Sequence, residues 1–559
     1  MKRFDRIQYE RPDYEKLTEL MRQTIRVIQS STDFEKIEEA ICAFDRAHKH
    51  CETMAMVALI RCYLDGTDKF YAEEMAYAVG QEESFDASPL FETIAHSPYR
   101  SAFEAKYGHF ILRSMEKQQT LHAAGGELIA KRQEIIAEHH RFQADMTYGY
   151  EGETVSGSKI SMLKKSNDPT IRKKARHAER KAYADSSEKH GEFLDRMVKV
   201  QNALAKANGY SDYLEYCNTE MQRYTYGEAE FDLFCANVKK YFLPLIEKNN
   251  QRIRERLHLN ELTTEDTSVY FPDGNAVPLG DESFVRARTQ EMFDDLDPVF
   301  GAFYRQMNEN GYIDIALSDN KVTNMGFRTG IHDEGIPFVF GNYLSDDTSV
   351  TTFLHELGHS AQAVLSAKRF DLLELEEMAQ DLSELPSKTM ELFTHRYARL
   401  FFGDDAEKYI QKHLSVFMSE IADFCSIHEF ETFLFRNPHA TQQERIDKFN
   451  ELTRIYSPGI VFTDEELRSK GSALYGNIIF YIATRYVITY SLSSLSAIYL
   501  AAEFKKDKAN GIELYKKLCE IGGSLDYNEA ITYIGLKPAY TEEVVKEVAE
   551  YLKAELHLD

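Results

Sequence analysis

Glycine and proline are scarce in this chain, at 28 and 13 of 559 residues. With so few turn-forming and helix-breaking residues between long Ala/Leu/Glu/Lys-rich stretches, the sequence reads as mostly helical. Positive charge is also short: 66 Lys and Arg stand against 91 Asp and Glu, a formal charge of -25 spread along the chain. Such a surface repels phosphate backbones and excludes nucleic acid as a partner. The seven cysteines, Cys42, Cys51, Cys62, Cys217, Cys235, Cys425 and Cys519, form no CxxC pair and follow no regular spacing, which fits a reduced compartment. The amino-terminal stretch MKRFDRIQYERPDYEK alternates charges and lacks an apolar h-region, so it reads as neither secretion signal nor anchor, and the cytoplasm is the expected location. One long apolar run, residues 475–504, approaches the length of a membrane span. Arg485 sits near its middle, and Asn, Thr, Ser and Tyr recur along it at helical spacing. Hydrocarbon penalises such groups and a protein interior pairs them, so this segment is expected to be a buried helix and no membrane is implied.

The length is several times that of a typical domain and calls for two or three packed lobes. From about residue 13 to 260 apolar residues return at spacings of three and four, as in Phe34-Ile37-Ile41-Phe44 and Phe193-Met197-Val200-Leu204. An N-terminal helical lobe over 1–200 and a second region over 201–559 follow from this pattern. Between about 265 and 345 the pattern changes. Turn residues at Pro272-Asp273-Gly274 precede GYIDIAL, MGFRTGI and IPFVFGNYL, which read as short strands of one small sheet. Phe327, Arg328, Thr329 and Gly330 are read as an edge strand, open to pairing with an extended peptide.

Directly after the sheet comes SDDTSVTTFLHELGHSAQAVLSAKRF, with Asp and Ser/Thr cap candidates followed by Val350, Phe353, Leu354 and Leu357 in helical register. His355 and His359 are four residues apart, so a helix projects both imidazoles from one face toward a single ion, with Glu356 beside them. Zinc needs a third protein ligand and an open position. A downstream acidic stretch, LELEEMAQDLSELPSKTMELF, offers Glu374, Glu376, Glu377, Asp381, Glu384 and Glu391, among which spacing does not choose. Gly358, costly by about 1 kcal/mol inside a helix, suggests close packing or ligand access at that point. His428-Glu429-Phe430-Glu431-Thr432 begins the same way, fails at the last position and is assigned no role.

With these residues in place, the chain resembles the M3 family of zinc oligopeptidases, the group of thimet oligopeptidase and oligoendopeptidase F, and within it the shorter Pz-peptidase-like branch. PFVFGNYLSDDTSVTTFLHELGHSAQ looks like the family's strand, loop and HExGH helix, and ELPSKTMELF like its downstream Glu-x-x-Ser segment. RNPHATQQER and Tyr456-Ser457-Pro458 extend the likeness over about the carboxy-terminal half. The resemblance implies a mostly α, zincin-type metallopeptidase fold enclosing a deep channel, one Zn2+ per chain, and short unfolded peptides as substrates. It selects Glu384 as third ligand with His355 and His359, and gives Glu356 the role of general base. Asp381, one helical turn before Glu384, reads either as a supporting carboxylate or as a solvated acid on a charged helix. The resemblance also implies oxyanion donors on a late helix, where Tyr490 and Tyr486 fall in place. Ile479 stands where the family carries a histidine, and Val487 where another tyrosine is common. A rival reading follows: a weakened, zinc-containing peptide-binding paralogue. Oligomeric state is not legible in the sequence.

Overall fold

The computed structural model describes all residues except 83, 123, 165, 167 and 324. Helices dominate, as expected, and the strands are few and short. The chain forms two compact units, each assembled from three segments: residues 1–119, 276–410 and 496–538 in unit 1, and residues 120–275, 411–495 and 539–559 in unit 2. The sequence division after residue 200 falls inside the helix Ser187–Ala207, within unit 2.

In unit 2 the spacing of Phe193, Met197, Val200 and Leu204 places all four on the buried face of that helix, against Phe430, Phe449, Phe480 and Tyr481. Among the described residues of the first 260, the strands are those of the antiparallel hairpin Tyr148–Tyr150 and Glu153–Val155. The apolar segment 475–504 departs from the expected single helix. It comprises the end of Ser472–Tyr475, the short helix Ile479–Ile482, and, after a break, Ile488–Lys506. The cause lies at Arg485, which takes a left-handed backbone with φ of 64°. Its backbone N–H donates to Glu431 Oε1 at 2.9 Å, while its guanidinium donates to Thr432 Oγ1 at 2.8 Å and pairs with Glu228. Non-helical φ at a bulky residue persists only where its surroundings fix it, and here the buried ion pair does so. Among the described residues no helix is long and apolar enough to cross a membrane.

In unit 1 a three-stranded sheet has its strands in the order 313–314, 336–340, 327–331. The central strand Ile336–Phe340 is buried throughout. It pairs in parallel with Ile313–Asp314 and antiparallel with Phe327–Ile331, in the register Phe327 to Phe340 and Gly330 to Pro337. The strand Phe327–Ile331 is therefore at the sheet's edge, as its sequence suggested; the stretch around Pro272-Asp273-Gly274 contributes turns. Phe327 lies flat on Phe340 with ring centroids 5.0 Å apart, and Tyr63 meets both rings edge-on.

A tight loop leads from this sheet to the motif helix, Asp347–Arg369. Asp346 caps it, accepting from Ser349 N–H at 2.7 Å, and Lys368 and Arg369 complement the dipole at the other end. Val350, Phe353, Leu354 and Leu357 are buried, each burial of this kind stabilising by about 1.5–3 kcal/mol. Behind the motif helix packs Leu385–Phe393, started by Pro386 in its first turn, with Lys508–Glu520 against both.

Gly358 is the point of closest approach. A Cβ built there would lie 2.5 Å from Ser387 Cα and 2.8 Å from the Pro386 carbonyl oxygen, so close packing is what this glycine provides. Tyr515 secures the contact, its hydroxyl reaching the carbonyl oxygens of Pro386 at 3.1 Å and Gly358 at 3.4 Å. Gly358→Ala removes a helix-interior glycine, worth about 1 kcal/mol by propensity, but the clash is with backbone and cannot be relieved by a rotamer. The expected outcome is net destabilisation of about 1–3 kcal/mol, read as a lower midpoint in calorimetric unfolding. A variant with the wild-type midpoint would mean that the two helices part without cost.

Candidate active site

The motif helix presents His355 and His359 one turn apart on a single face, both half-buried. Their Nε2 atoms stand 3.2 Å apart. Glu384 occupies the N-cap position of Leu385–Phe393, and its Oε2 lies 3.3 Å from His355 Nε2 and 3.5 Å from His359 Nε2. Ligand atoms of the three residues all fall within 4.8 Å of one another, the one group of this kind among the described residues. Ser387, one turn after Glu384, donates to its Oε2 at 3.2 Å and to its carbonyl oxygen at 2.9 Å, which fixes the carboxylate's orientation.

His355 Nδ1 meets Glu391 Oε1 at 2.7 Å, a charge-assisted distance. Glu391 is almost fully buried, and Lys388 Nζ stands 3.5 Å from the same oxygen. Sequence reasoning counted Glu391 only among possible third ligands. Its position two turns after Glu384, on the same face of one helix, is the signal for the supporting role. Asp381, read as either supporting or solvated, is buried on the short turn Gln380–Leu382.

Burial opposes charging of His355, yet hydrogen bonds to Glu384 and Glu391 outweigh it and raise the imidazole to about 10. Burial likewise opposes the Glu384 carboxylate, but the two histidines hold it well below the usual range. Glu356, next to His355, is buried, and no hydrogen bond or ion pair with another described residue engages its carboxylate. On the edge strand, Arg328 Nη1 donates to Glu377 at 3.3 Å while its Nε and Nη2 are buried without partners; the Phe327 ring is taken up in packing.

His355, Glu356, His359, Glu384 and the strand 327–330 thus all belong to unit 1. Tyr486 and Tyr490 belong to unit 2, at and just before the start of Ile488–Lys506. Their rings are 5.4 Å apart and perpendicular, and Phe424 backs Tyr490 at 5.7 Å. Ile479 opens the short helix Ile479–Ile482, half-buried. His428 is buried against Phe231 with ring centroids 4.9 Å apart.

The electrostatics predict a measurable titration. In metal-free protein the His355 imidazole should keep its proton far above the ordinary value of 6.5, releasing it only near pH 10. A raised folded-state pKa contributes stability that is fully present below the unfolded value and lost as pH rises through the folded one. Glu391→Gln removes one of the two carboxylates, so NMR titration of the ring should show a lowered pKa; an unchanged value would mean that Glu384 alone sets it.

Comparison with known proteins agrees with this geometry. A family model described as Peptidase M3 N-terminal domain matches residues 4–122, and one described as Peptidase family M3 matches residues 283–550, which contain the whole His/His/Glu group. The group B oligopeptidase PepB of Streptococcus agalactiae is 23% identical over 451 residues, covering 76% of this chain and 71% of its own length. Oligopeptidase PepF of Bacillus subtilis is 21% identical over 433 residues, covering 73% and 61%. Among solved structures, PZ peptidase A with inhibitor 2 superposes with a TM-score of 0.86 at 26% identity over 99% of both chains. Oligoendopeptidase-F from Enterococcus faecium shares the fold at a TM-score of 0.60 and 17% identity, over 97% of this chain and 96% of its own. With both halves of the family pattern present and the mostly helical, zincin-type fold in common, this chain belongs to peptidase family M3, on its oligoendopeptidase F-like branch.

Proposed function

We propose that this peptidase is a zinc endopeptidase that hydrolyses internal bonds of short, unfolded peptides. The observation that carries the reading is the convergence of two imidazole nitrogens and one carboxylate oxygen beside the unengaged Glu356 carboxylate. Two nitrogens and one oxygen are a donor set that suits catalytic zinc. His355, His359 and Glu384 would hold one ion per chain, and zinc bound there supplies Lewis acidity toward the scissile carbonyl and the attacking water.

The remaining steps belong to the chain's own residues. Glu391 accepts from His355 Nδ1 and so directs the Nε2 lone pair at the ligand position, while Ser387 orients Glu384. Glu356 takes one proton from the water as its oxygen adds to the peptide carbonyl carbon. When the C–N bond breaks, Glu356 passes that proton to the leaving amine. Tyr490 and Tyr486 are assigned as hydroxyl donors to the developing oxyanion, and the strand Phe327 to Gly330 as the edge that pairs with substrate backbone. The unpaired thiols of all seven cysteines suit the cytoplasm as the site of action.

Ile479 and Val487 favour a second reading, in which the protein retains zinc and binds peptides but turns them over slowly. One assay separates the two: a mixed library of short peptides incubated with zinc-loaded protein and followed by mass spectrometry. Cleavage is expected, with chelation stopping it and Glu356→Gln lowering it by about a hundred- to ten-thousandfold while leaving zinc content at one per chain. Zinc and peptide binding without cleavage would favour the second reading and make Ile479→His the informative variant. Strand pairing is tested on the ligand side: backbone N-methylation should weaken binding at alternate amides, whereas tolerance at every position would remove the strand 327–330 from the site.

A further inference from the structure

Unit 2 encloses a cavity of about 540 Å³, within the range of about 300–1,000 Å³ that holds small ligands. Its lining lies wholly within this unit, and much of it is apolar, including Ile246, Ile253, Leu262 and Ile460. Two features of its wall have no structural explanation.

The first is Arg468, only 5% exposed. Its guanidinium packs over the Phe462 ring at 4.4 Å, and its Nε and Nη2 are buried without partners. No hydrogen bond or ion pair joins this side chain to any described residue. Desolvation pulls it down to about 10, offset in part by Glu465. A buried guanidinium with no hydrogen-bonded or ion-paired counter-charge is expensive, and an anion seated in the cavity would relieve that cost.

The second is Asp423, which with Glu420 lines the cavity from the helix Ala406–Arg436. Asp423 is accessible, yet desolvation, aided by the Glu420 charge, pushes its carboxyl up to about 7. Its accessible surface is therefore the inside of a protein-lined recess. No cation or hydrogen-bond donor among the described residues meets it. Lone charges of opposite sign share one cavity without pairing with each other, so neither a simple anion nor a simple cation satisfies both.

We propose that this cavity binds a zwitterion of the size of a short apolar peptide, with its carboxylate on Arg468, its ammonium on Asp423, and its side chains on the aliphatic wall. The proposed peptide hydrolysis would generate such molecules, and only the source of the ligand rests on that reading.

The test uses isothermal titration calorimetry on the full-length, metal-free Glu356→Gln protein, so binding is read whether or not the wild type cleaves peptides. Leucyl-leucine is expected to bind, and its N-acetyl and C-terminal amide derivatives to bind at least about tenfold more weakly. Asp423→Asn should bring leucyl-leucine down to the level of the N-acetyl form and leave that form unaffected; Arg468→Met should do the same with respect to the amide. Absence of leucyl-leucine binding, equal binding of capped and uncapped peptides, sensitivity to one cap alone, or penalties that persist unchanged in both variants would each overturn the proposal. Asp423→Asn is nearly isosteric, and the capped ligands need no variant, so the outcome does not depend on Arg468→Met folding.

Discussion

The contact between Gly358 and the Pro386-Ser387 backbone governs the candidate site. Two helices side by side are ordinarily held apart by their side chains, at 8–10 Å between axes. Here a glycine on one helix admits the other's backbone directly, and Tyr515 ties the two carbonyls across the junction. The Gly358 contact lies between the two histidines in sequence, and Pro386 and Ser387 follow Glu384 at the start of the facing helix. The same approach that buries this backbone thus brings Glu384 Oε2 within 3.3 and 3.5 Å of the two Nε2 atoms. A larger residue at 358 would separate the carboxylate from the imidazoles as directly as it would open the core.

That geometry concentrates charge in a buried place, and the local arrangement keeps it affordable. Glu384 and Glu391 reach His355 from opposite ring nitrogens, each within hydrogen-bonding or ion-pair distance. An imidazole so placed is charged when only protons are available, which balances part of the carboxylate charge. Protons and a metal therefore compete for the same Nε2 position, while Glu391 holds Nδ1 in either state. Glu356, by contrast, is buried without such a partner, which suits a group that must gain and release a proton rather than anchor a ring.

Much of this was legible in the sequence, for local reasons. The four-residue spacing of His355 and His359, the Asp cap before the helix and the edge position of Phe327–Ile331 depend on neighbours within a few residues. Glycine at 358 signalled a constraint, although not which surface it faced. The third ligand was not decidable from spacing, because several acids lie on the following turns; the family likeness singled out Glu384. Glu391 was missed as a partner of His355, since its role depends on how two helices face each other. Arg485 misled most: apolar residues on either side imply one helix, and only partners from residues 228 and 428–432 reveal the break. The interleaved units were hidden for a similar cause. Each gathers segments hundreds of residues apart, and of their junctions only the one after residue 275 falls at the change of sequence pattern.

Buried cations elsewhere show how this protein treats such groups. Lys321 reaches Asp314 Oδ1 and two carbonyl oxygens. Arg445 pairs with Asp195 at 3.2 Å and also reaches the Pro438 carbonyl oxygen. Arg485 has Glu228, Thr432 and the His428 carbonyl oxygen. In each case removal from water is offset by a carboxylate and by carbonyl or hydroxyl oxygens that take up donors. Arg468 is as buried and receives only the more distant charge of Glu465 and the face of the Phe462 ring, with no hydrogen bond to its guanidinium from any described residue, while the adjacent Asn450 donates to its backbone oxygen at 3.0 Å and holds the residue in place. A structural role in packing alone would be filled at lower cost by an uncharged side chain of similar length, because desolvating an unpaired guanidinium works against folding. The charge at 468 therefore acts on something outside the protein's own hydrogen-bond network, and the cavity it lines is where that partner fits.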